Sequence, residues 1–407
     1  MKVLYGIQCT GNGHITRSID MINELRKYVH VDVLTSGSHS EVKLPFDVKF
    51  KQKGLSYFFG KNGSIDVLRT IRDNNPLRFL QEIKEVPTHL YDMVISDFEP
   101  VTAWSAKRNW VYSVALSNQA ALLDADVPKP NIISPISQPI INNFCPANKH
   151  YGLFYQKLNS KLYYPPVRDV IKKLKPTDGV HYVVYLPFYS TEKIVRHLQI
   201  FEGAQWLVFS KHATQSYSNG NVHVQPIDEH KFILALENCK GVMCSAGFGT
   251  TSEALFLRKK LLVIPMKNQY EQQCNAHNLG LLGVPVIRSL KKKFHSVIAD
   301  WIASEEKPLV EIKDENNKVT HYVGVQSDIT DLTETRNRLI EANNKLQIFQ
   351  NRILEDLEQA KNAQQFLLPS NLPKSSKVRF TSLFEPMEEV GGDVYDVTNL
   401  PNENYGL

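Results

Sequence analysis

Residues 244–253, CSAGFGTTSE, decide the fold of this chain. An apolar run, Gly241–Cys244, ends there, a glycine-rich turn follows, and a helical segment begins with threonine and serine as candidate caps. The glycines let the backbone turn tightly and approach a ligand closely. A strand, turn and helix of this kind is typical of parallel α/β sheets, which carry their ligand sites at the strand ends.

Short apolar runs alternate with helical stretches on both sides of this turn. In residues 180–300 the predicted strands are Tyr182–Leu186, Trp206–Phe209, Val222–Gln225, Gly241–Cys244, Leu261–Ile264 and Val284–Ile287. The predicted helices are Ser190–Ile200, Asp228–Asn238, Thr251–Leu257 and Glu271–Leu281. Residues 1–120 repeat the pattern, with strands Val3–Ile7, Val31–Thr35, Met93–Asp97 and Val111–Leu116 and a helix at Ile15–Tyr28. Two such doubly wound domains, 1–150 and 151–304, would face each other across a cleft.

The chain changes character after Ser304. The segment after Ser304 is predicted to form a hairpin followed by a long helix. Residues 120–178, before it, are rich in proline and asparagine and are predicted to connect the two domains. The hairpin strands are Val310–Lys313 and Val319–Val325, and the helix runs from about Ile329 to Leu368. Its apolar column repeats every seven residues, at Leu332, Leu339, Leu346, Ile353 and Ala360. The partner column is poorly apolar, so a dimerising coiled coil over 331–368 is a weakly specified expectation.

Composition restricts the class of protein. The 407 residues include 42% hydrophobic and 22% charged residues with a net charge of +5, values that are ordinary for a globular protein and give no nucleic-acid signal. Five cysteines without a CxxC pair favour a reducing compartment. The chain opens on a strand rather than a secretory signal, and it lacks an apolar run of about 18 residues. We therefore expect a cytoplasmic protein, with contact at the inner membrane face as a further expectation.

The first candidate site, Gly11-Asn12-Gly13-His14, follows the first predicted strand. The glycines permit close ligand approach, and the next helix offers free N–H groups to polar or anionic oxygens. His14 would lie at the mouth of the cleft, where an ordinary histidine can deprotonate an acceptor hydroxyl. The alternative is a plain strand-to-helix turn in which His14 caps locally.

The second candidate site is the turn quoted first. Its backbone N–H groups are suited to a diphosphate. The candidate residues of this turn are Ser245, Gly247, Phe248, Gly249 and Thr250. The Glu253 carboxylate would accept two ribose hydroxyls; alternatively, Glu253 closes a capping box with Thr250.

The third candidate site, residues 265–275, reads PMKNQYEQQCN and opens the next helix. Amides at helical spacing can bind sugar hydroxyls, which need both donors and acceptors. The candidate residues are Gln269, Gln272, Gln273 and Asn275. The alternative is an exposed polar helix start.

Three stretches of the first domain are lesser candidates. Asp97 or Glu99 would orient His14 or bind the acceptor; the alternative is that either residue caps a loop. The same alternatives apply to Ser117-Asn118-Gln119. Gly54–Lys61 places aromatic residues beside lysines, which suits either a lipid surface or a buried core.

The first, second and third candidate sites together resemble the loops of the glycosyltransferases with paired Rossmann domains, the GT-B type. The closest likeness is to a bacterial and archaeal family of transferases that is distantly related to the lipid II N-acetylglucosaminyltransferase. The motifs that carry it are Cys9–His14, Ala246–Ala254 and Pro265–Ala276, over about residues 1–300. Cys9 departs from the pattern, because a glycine is expected there.

The resemblance implies transfer of a hexose-type sugar from a nucleotide donor, usually UDP-linked, to a hydroxyl of a saccharide or lipid-linked acceptor, with no obligatory metal. It places Gly247, Gly249 and Thr250 at the diphosphate and Glu253 at the ribose. It also places Gln272 and Gln273 at the donor sugar and His14 by the reaction centre. Asp97 is the second candidate catalytic residue, from its position at the end of a predicted strand on the cleft side.

The tail resembles different families. Residues 305–330 look like the last strands of a PAS or LOV sensor domain, and residues 331–368 look like a signalling helix. Residues 369–407 look like the start of a sporulation-type Ser/Thr phosphatase, in which Asp393 would be a metal ligand. One carboxylate cannot assemble the two-metal site of such an enzyme, so neither tail activity is expected.

Three hypotheses therefore compete. The chain is a nucleotide-sugar transferase whose activity is impaired by the junction near Ala303, a signalling fusion whose N-terminal domain only binds a ligand, or a chimeric product without a selected function. The joint presence of three cleft loops at the expected positions favours the transferase.

Overall fold

The computed structural model describes residues 1–10, 12–37, 44–55, 74–131, 137–267, 269–308, 312, 323–367, 372, 374, 397–400 and 404–406. The chain forms two compact units, Met1–Gln326 and Ser327–Leu407. Two largely parallel sheets with covering helices lie within the first unit. The predicted pair of Rossmann-like α/β domains is thereby confirmed.

Seven parallel strands of the described chain form the first sheet. They are β1 (Lys2–Gln8), β2 (His30–Ser36), β3 (Phe50–Gln52), β4 (Met93–Asp97), β5 (Ser113–Ser117), β6 (Lys149–Leu153) and β7 (Leu162–Tyr163). Their spatial order is β3-β2-β1-β4-β5-β6-β7, so the strand order changes direction between β1 and β4. The loops that follow these two strands meet in a crevice, the usual ligand position of such sheets. The sheet also continues beyond residue 150, because β6 and β7 belong to it.

The helices of the first domain connect these strands. They are α1 (Asn12–Leu25), α2 (Pro76–Glu85), α3 (Pro100–Arg108), α4 (Asn118–Ala121) and α5 (Ser137–Phe144), with a short 3₁₀ turn at Thr88–Leu90. Helix α1 begins three residues earlier than predicted, so His14 lies within its first turn.

The second sheet has six strands within the described residues. They are β8 (His181–Tyr185), β9 (Gln205–Ser210), β10 (Tyr217–Asn219), β11 (Val222–Pro226), β12 (Gly241–Cys244) and β13 (Lys260–Val263). Their order is β10-β11-β9-β8-β12-β13, and β10 alone among them pairs antiparallel. The order changes direction between β8 and β12, which places the turn after β12 at the crevice of this sheet. The predicted strand Val284–Ile287 is reduced to one isolated bridge, Val263–Val286.

The helices of the second domain are α6 (Asp169–Lys172), α7 (Thr191–Leu198), α8 (Glu229–Glu237), α9 (Phe248–Phe256), α10 (Tyr270–Leu281) and α11 (His295–Ala303), with a 3₁₀ turn at Lys292–Phe294. Helix α9 begins at Phe248 rather than at the predicted Thr251. The extended backbone of Gly247 (φ −71°, ψ 132°) ends the turn and starts the helix at once. A glycine inside a helix costs about 1 kcal/mol, but burial of the remaining face of α9 compensates for Gly249.

A long helix, α12 (Val323–Leu367), dominates the second unit, and β14 (Thr398–Leu400) pairs antiparallel with β15 (Asn404–Gly406). The helix confirms the predicted long helical run but begins earlier. The predicted strand Val319–Val325 is therefore wrong at residues 323–325. A lone hairpin is marginally stable, whereas an existing helix gains one hydrogen bond for each residue added.

Other predictions for the tail lie largely outside the described residues. The first hairpin strand is described only at Ile312, which has no regular structure, and Asp393 is not described. The apolar column on α12 is exposed except at Leu332, which is half-buried; the exposed fractions are 66% for Leu339 and 56% for Leu346. Among residues with described positions, no helix has both the length and the hydropathy needed to cross a bilayer.

All five cysteines are buried and unpaired. Burial raises the pKa of the Cys9 and Cys244 thiols to about 12 and that of Cys239 and Cys274 to about 11. Burial likewise raises the pKa of Cys145 well above its usual value. These thiols therefore stay protonated at neutral pH and serve as small apolar core groups.

Candidate active site

His14 and Asp97 meet where the first sheet changes strand direction. His14 lies in the first turn of α1, and Asp97 ends β4, the parallel neighbour of β1. The distance from His14 Nδ1 to Asp97 Oδ1 is 2.9 Å. Phe98 adopts a left-handed φ of 53° and stacks its ring on His14, with centroids 6.3 Å apart. The structure thus brings together the two residues predicted to be catalytic.

Arg17, which the sequence reasoning missed, completes this cluster. Its Nε donates to Asp97 Oδ2 at 2.8 Å and its Nη2 donates to Asp97 Oδ1. The same Nη2 lies 2.7 Å from His14 Nδ1, and Ser18 Oγ donates to Asp97 Oδ2. The spacing of three residues between His14 and Arg17 places both on one face of α1, and that spacing was the available signal.

The neighbours of both ring nitrogens bear on the tautomer of His14. Burial alone would raise the pKa of Asp97, but the charges of Arg17 and His14 and their hydrogen bonds hold it well below its usual range. Of the two neighbours of His14 Nδ1, ionised Asp97 can only accept and Arg17 Nη2 can only donate. We assign the proton to Nδ1, toward Asp97, because Nε2 can then accept from Gln119, and the contact with Arg17 is then not a hydrogen bond. The Nε2 lone pair then faces Gln119 Nε2, which lies 3.3 Å away and donates. A histidine in this state can accept a proton at Nε2 while Asp97 stabilises the resulting cation.

Glu99 has a different role from Asp97. It is the N-cap of α3 and accepts hydrogen bonds from the backbone N–H groups of Val101 and Thr102 at 2.8 and 2.7 Å. Ser36 Oγ also donates to it at 2.6 Å. Burial raises the pKa of Glu99 despite these bonds. This residue is a buried helix cap, as the alternative interpretation of the sequence had it.

Glu271 links the two domains at the site. It lies in the first turn of α10 and accepts from Asn118 Nδ2 at 2.7 Å and from Gln119 Nε2 at 2.8 Å. Arg17 Nη1 donates to Asn118 Oδ1 at 2.7 Å, so the chain of contacts runs from Glu271 back to the His14 cluster. Asn118 and Gln119 were lesser candidates in the sequence; Glu271 stood inside a quoted stretch but was not selected.

The glycine-rich turn leaves open space beside its backbone. A Cβ atom at Gly13, Gly247 or Gly249 would meet no heavy atom within 4 Å among the described residues. Gly247 is the N-cap of α9 and has no side chain that could cap the helix start. The capping box between Thr250 and Glu253 is therefore not formed. A groove of this kind suits an anionic or polar ligand that approaches the backbone closely.

The first domain anchors the start of α9. Tyr155, fully buried, hydrogen-bonds to Thr251 Oγ1 at 2.8 Å, and its ring lies 5.1 Å from that of Phe248. Thr251 Oγ1 donates in turn to the carbonyl of Gly247 at 2.9 Å. Phe248 thus has a packing contact, while Ser245 is buried at the end of β12 and Thr250 is half-buried.

Glu253 is bound at both carboxylate oxygens by one arginine. Arg168 Nε donates to Glu253 Oε1 at 2.5 Å and Nη2 donates to Oε2 at 2.9 Å. Arg168 Nη1 donates to Glu229 Oε1 at 2.6 Å. Arg168 lies in the segment between the two sheets, and the sequence reasoning did not select it.

The predicted amides at the start of α10 separate into two groups. Gln272 Oε1 accepts from the backbone N–H of Met266 at 2.9 Å, and Asn275 Nδ2 donates to the carbonyl of Ala246 at 3.0 Å, so both hold the cleft loops. Gln273 is half-buried and Gln269 is the backbone N-cap of the helix. Gly11 and the side chain of Asn12 lie outside the described residues.

Two side-chain oxygens at the site, Gln119 Oε1 and Gln269 Oε1, are buried without a hydrogen-bond partner in the described part of the chain. Each belongs to a different domain. Buried polar atoms normally have partners, and amide oxygens accept from hydroxyl groups. Both oxygens therefore have an acceptor capacity that the described residues do not use.

Three solved structures illustrate what the chain is similar to. The structure of UGT2 from Phytolacca americana, complexed with UDP-2fluoro-glucose and pterostilbene, has a TM-score of 0.50 at 11% identity, covering 82% of this chain and 93% of that one. MurG of Acinetobacter baumannii has a TM-score of 0.49 at 12% identity, covering 75% and 91%. The spinosyn rhamnosyltransferase SpnG complexed with thymidine diphosphate has a TM-score of 0.47 at 13% identity, covering 75% of this chain and 92% of that one. The likeness to UGT2 shows the GT-B fold.

No curated protein is significantly similar to the chain. A family model, described as glycosyl transferase family 1, matches residues 1–304 and so spans both sheets and every element of the cleft. The chain therefore belongs to glycosyl transferase family 1.

Proposed function

We propose that the chain transfers a hexose-type sugar from a UDP-linked donor to a hydroxyl group of an acceptor. The observation that carries this proposal is the His14–Asp97 pair, 2.9 Å apart, in the cleft between two parallel sheets. Its Nε2 faces Gln119, which is itself held by Glu271 of the second domain. A base at that position has access to a hydroxyl placed between the domains.

In the proposed reaction the acceptor oxygen attacks the anomeric carbon of the donor sugar. The acceptor proton moves to His14 Nε2, a new carbon–oxygen bond forms, and the bond to the diphosphate breaks with its electron pair leaving on the diphosphate. Asp97 stabilises the imidazolium through Nδ1. The uncapped N–H groups of α9 stabilise the negative charge that develops on the leaving group.

The donor is proposed to lie along α9 and the start of α10. The open space beside Gly247 and Gly249 suits the diphosphate, and Glu253 suits the ribose. The unpartnered oxygen of Gln269 and the amide of Gln273 suit sugar hydroxyls. The UDP-sugar and thymidine diphosphate bound to the two neighbouring structures make both nucleotides sensible probes.

The acceptor is proposed to be a saccharide or a lipid-linked saccharide, reached from the inner face of the membrane. The sequence resemblance to the lipid II N-acetylglucosaminyltransferase supports this choice. Residues 56–61 of the aromatic stretch that suggested lipid contact lie outside the described residues.

Calorimetric titration of UDP, with GDP as control, tests the donor site in the purified chain and in Glu253→Ala. Transfer from UDP-sugars to a panel of saccharide acceptors then tests the reaction, and His14→Ala is expected to lower kcat by about 10²–10⁴-fold. His89→Gln, an exposed histidine of the same domain, is the matched control. A folded chain that binds neither UDP nor GDP contradicts the proposed function.

The exposed apolar column on α12 supports a second proposal, self-association of a signalling type through this helix. Leu339 and Leu346 are more than half exposed and lie one heptad apart. Light scattering of the full chain and of Leu339→Asp/Leu346→Asp tests it. A dimer that becomes monomeric in the variant supports association through α12, whereas a wild-type monomer contradicts it.

A further inference from the structure

Arg168 stands in an unusual place for a cation, because it pairs with the carboxylate assigned to the ribose. Its planar guanidinium engages both oxygens of Glu253, at 2.5 and 2.9 Å. The exposed fraction of the side chain is 16% for Arg168 and 9% for Glu253. A two-point contact between a half-buried guanidinium and a buried carboxylate fixes the plane of the carboxylate as well as its position.

The arginine is itself held from two sides. Glu229, in the first turn of α8, accepts from Nη1 at 2.6 Å. The next residue, Asp169, donates its backbone N–H to Asp20 Oδ2 on α1 at 3.1 Å. Pro165 and Pro166 precede this segment and restrict its backbone. Two carboxylate partners and a restricted backbone therefore hold the Arg168 guanidinium beside Glu253.

The Glu253 carboxylate can accept enough hydrogen bonds to contact Arg168 and a ribose at the same time. An ionised carboxylate offers about four lone-pair positions, and the fork of Arg168 uses two of them. The remaining two equal the number of neighbouring hydroxyl groups on a ribose. The positive charge of Arg168 also offsets the charge of Glu253, which would otherwise repel a diphosphate at the start of α9.

We propose that Arg168 is a positioning residue of the nucleotide site, whose guanidinium fixes the Glu253 carboxylate for the two ribose hydroxyls. This inference rests on the proposed function, because it assumes a nucleoside diphosphate along α9. It adds that selection of ribose over deoxygenated sugars depends on a residue outside the glycine-rich turn.

The test compares UDP with 2′,3′-dideoxyuridine diphosphate by calorimetric titration of the full chain. Hydrogen bonds to a charged group give the wild type a preference for UDP of about tenfold or more. In Arg168→Gln the ratio of the two affinities is expected to drop to less than about threefold. The drop comes from weaker binding of UDP, while the affinity for the dideoxy nucleotide stays nearly constant. Arg168→Lys, which keeps the charge but loses the fork, is expected to lie between these values.

Controls separate positioning from folding. Lys173→Gln removes an exposed charge from the same segment and is expected to bind both nucleotides like the wild type. Circular dichroism and thermal unfolding establish that each variant is folded. If Arg168→Gln does not fold, the comparison of Arg168→Lys with the wild type carries the test.

The outcomes are distinct. Equal weakening of both nucleotides in the Arg168 variants, with the preference intact, overturns the positioning role and leaves the proposed function standing. Tighter UDP binding by Arg168→Gln also overturns it, because the arginine would then compete with ribose. A wild-type chain that binds neither nucleotide overturns the proposed function and this inference together.

Discussion

Replacement of Asp97 by asparagine is expected to destabilise the first domain strongly. Asp97 is fully buried and accepts hydrogen bonds from His14, Arg17 and Ser18. Asparagine preserves the shape but removes the charge, which leaves the buried guanidinium of Arg17 without an anion. Breaking a buried ion pair in this way costs about 3–5 kcal/mol. At about 2–4 °C for each kcal/mol, the melting temperature of the first-domain transition falls by about 6–20 °C.

A double-mutant cycle isolates the pair. Arg17→Gln is expected to cost a similar amount, because it leaves Asp97 as the unpaired charge. The double variant Arg17→Gln/Asp97→Asn removes both charges of the pair and is expected to cost at least about 2 kcal/mol less than the sum of the single variants. Scanning calorimetry gives the transitions, and Asp126→Asn, an exposed carboxylate of the same domain, is the control.

The same pair predicts a dependence of stability on pH. The pKa of Asp97 in the folded chain lies well below its usual value, because Arg17 and His14 outweigh the opposing effect of burial. A lowered folded-state pKa contributes stability that is complete above the unfolded value of about 3.9 and is lost as pH falls below it. Asp97→Asn should therefore flatten the acid limb of the stability curve. Single variants that each cost less than about 1 kcal/mol, or a strictly additive double variant, would refute the reasoning.

Three further predictions concern other contacts. Gly6→Ala is expected to destabilise the chain by about 1–3 kcal/mol in thermal unfolding, since its Cβ would lie 2.9 Å from Thr102 Cγ2; unchanged stability contradicts that packing. Burial raises the pKa of Asp32, but the hydrogen bond from Lys49 and other contacts outweigh it and lower that pKa to about 2. Asp32→Asn should therefore reduce the loss of melting temperature between pH about 4 and about 2, and identical acid curves for the two proteins contradict this prediction. Glu271→Gln loses one of two accepted amide bonds beside the proposed base and is expected to lower kcat about tenfold at constant KM, measured by transfer kinetics; an unchanged kcat contradicts the role of this contact.

The fold was largely predictable because buried parallel strands leave a strong local signal. The predicted strands Met93–Asp97 and Gly241–Cys244 have the observed bounds, since each is a continuous apolar run that ends at a polar residue or a glycine turn. The prediction was wrong at Val323–Val325, where β-branched valines suggested a strand. Helix continuation prevailed there because a local propensity cannot replace a missing sheet.

The ionic partners of the site were less predictable. The segment that contains Arg168 has no periodicity, and its partner Glu253 is 85 residues away, so only the tertiary fold brings them together. Arg17 had a local signal in its spacing from His14, whereas Glu271 resembled the other polar residues at an exposed helix start. A backbone turn is determined by neighbouring residues and can be predicted from them, whereas the ion pairs of a cleft join residues that are far apart in the sequence.

The burial of every cysteine has a practical consequence for experiments on this chain. Alkylating and maleimide reagents react with the thiolate, so the native protein should remain unlabelled while each domain that opens exposes its own thiols. Cys9 would report on the first domain and Cys244 on the second. A single cysteine introduced on the surface would accept a fluorophore or spin label selectively, which makes distance measurements across the cleft feasible without removal of the native residues.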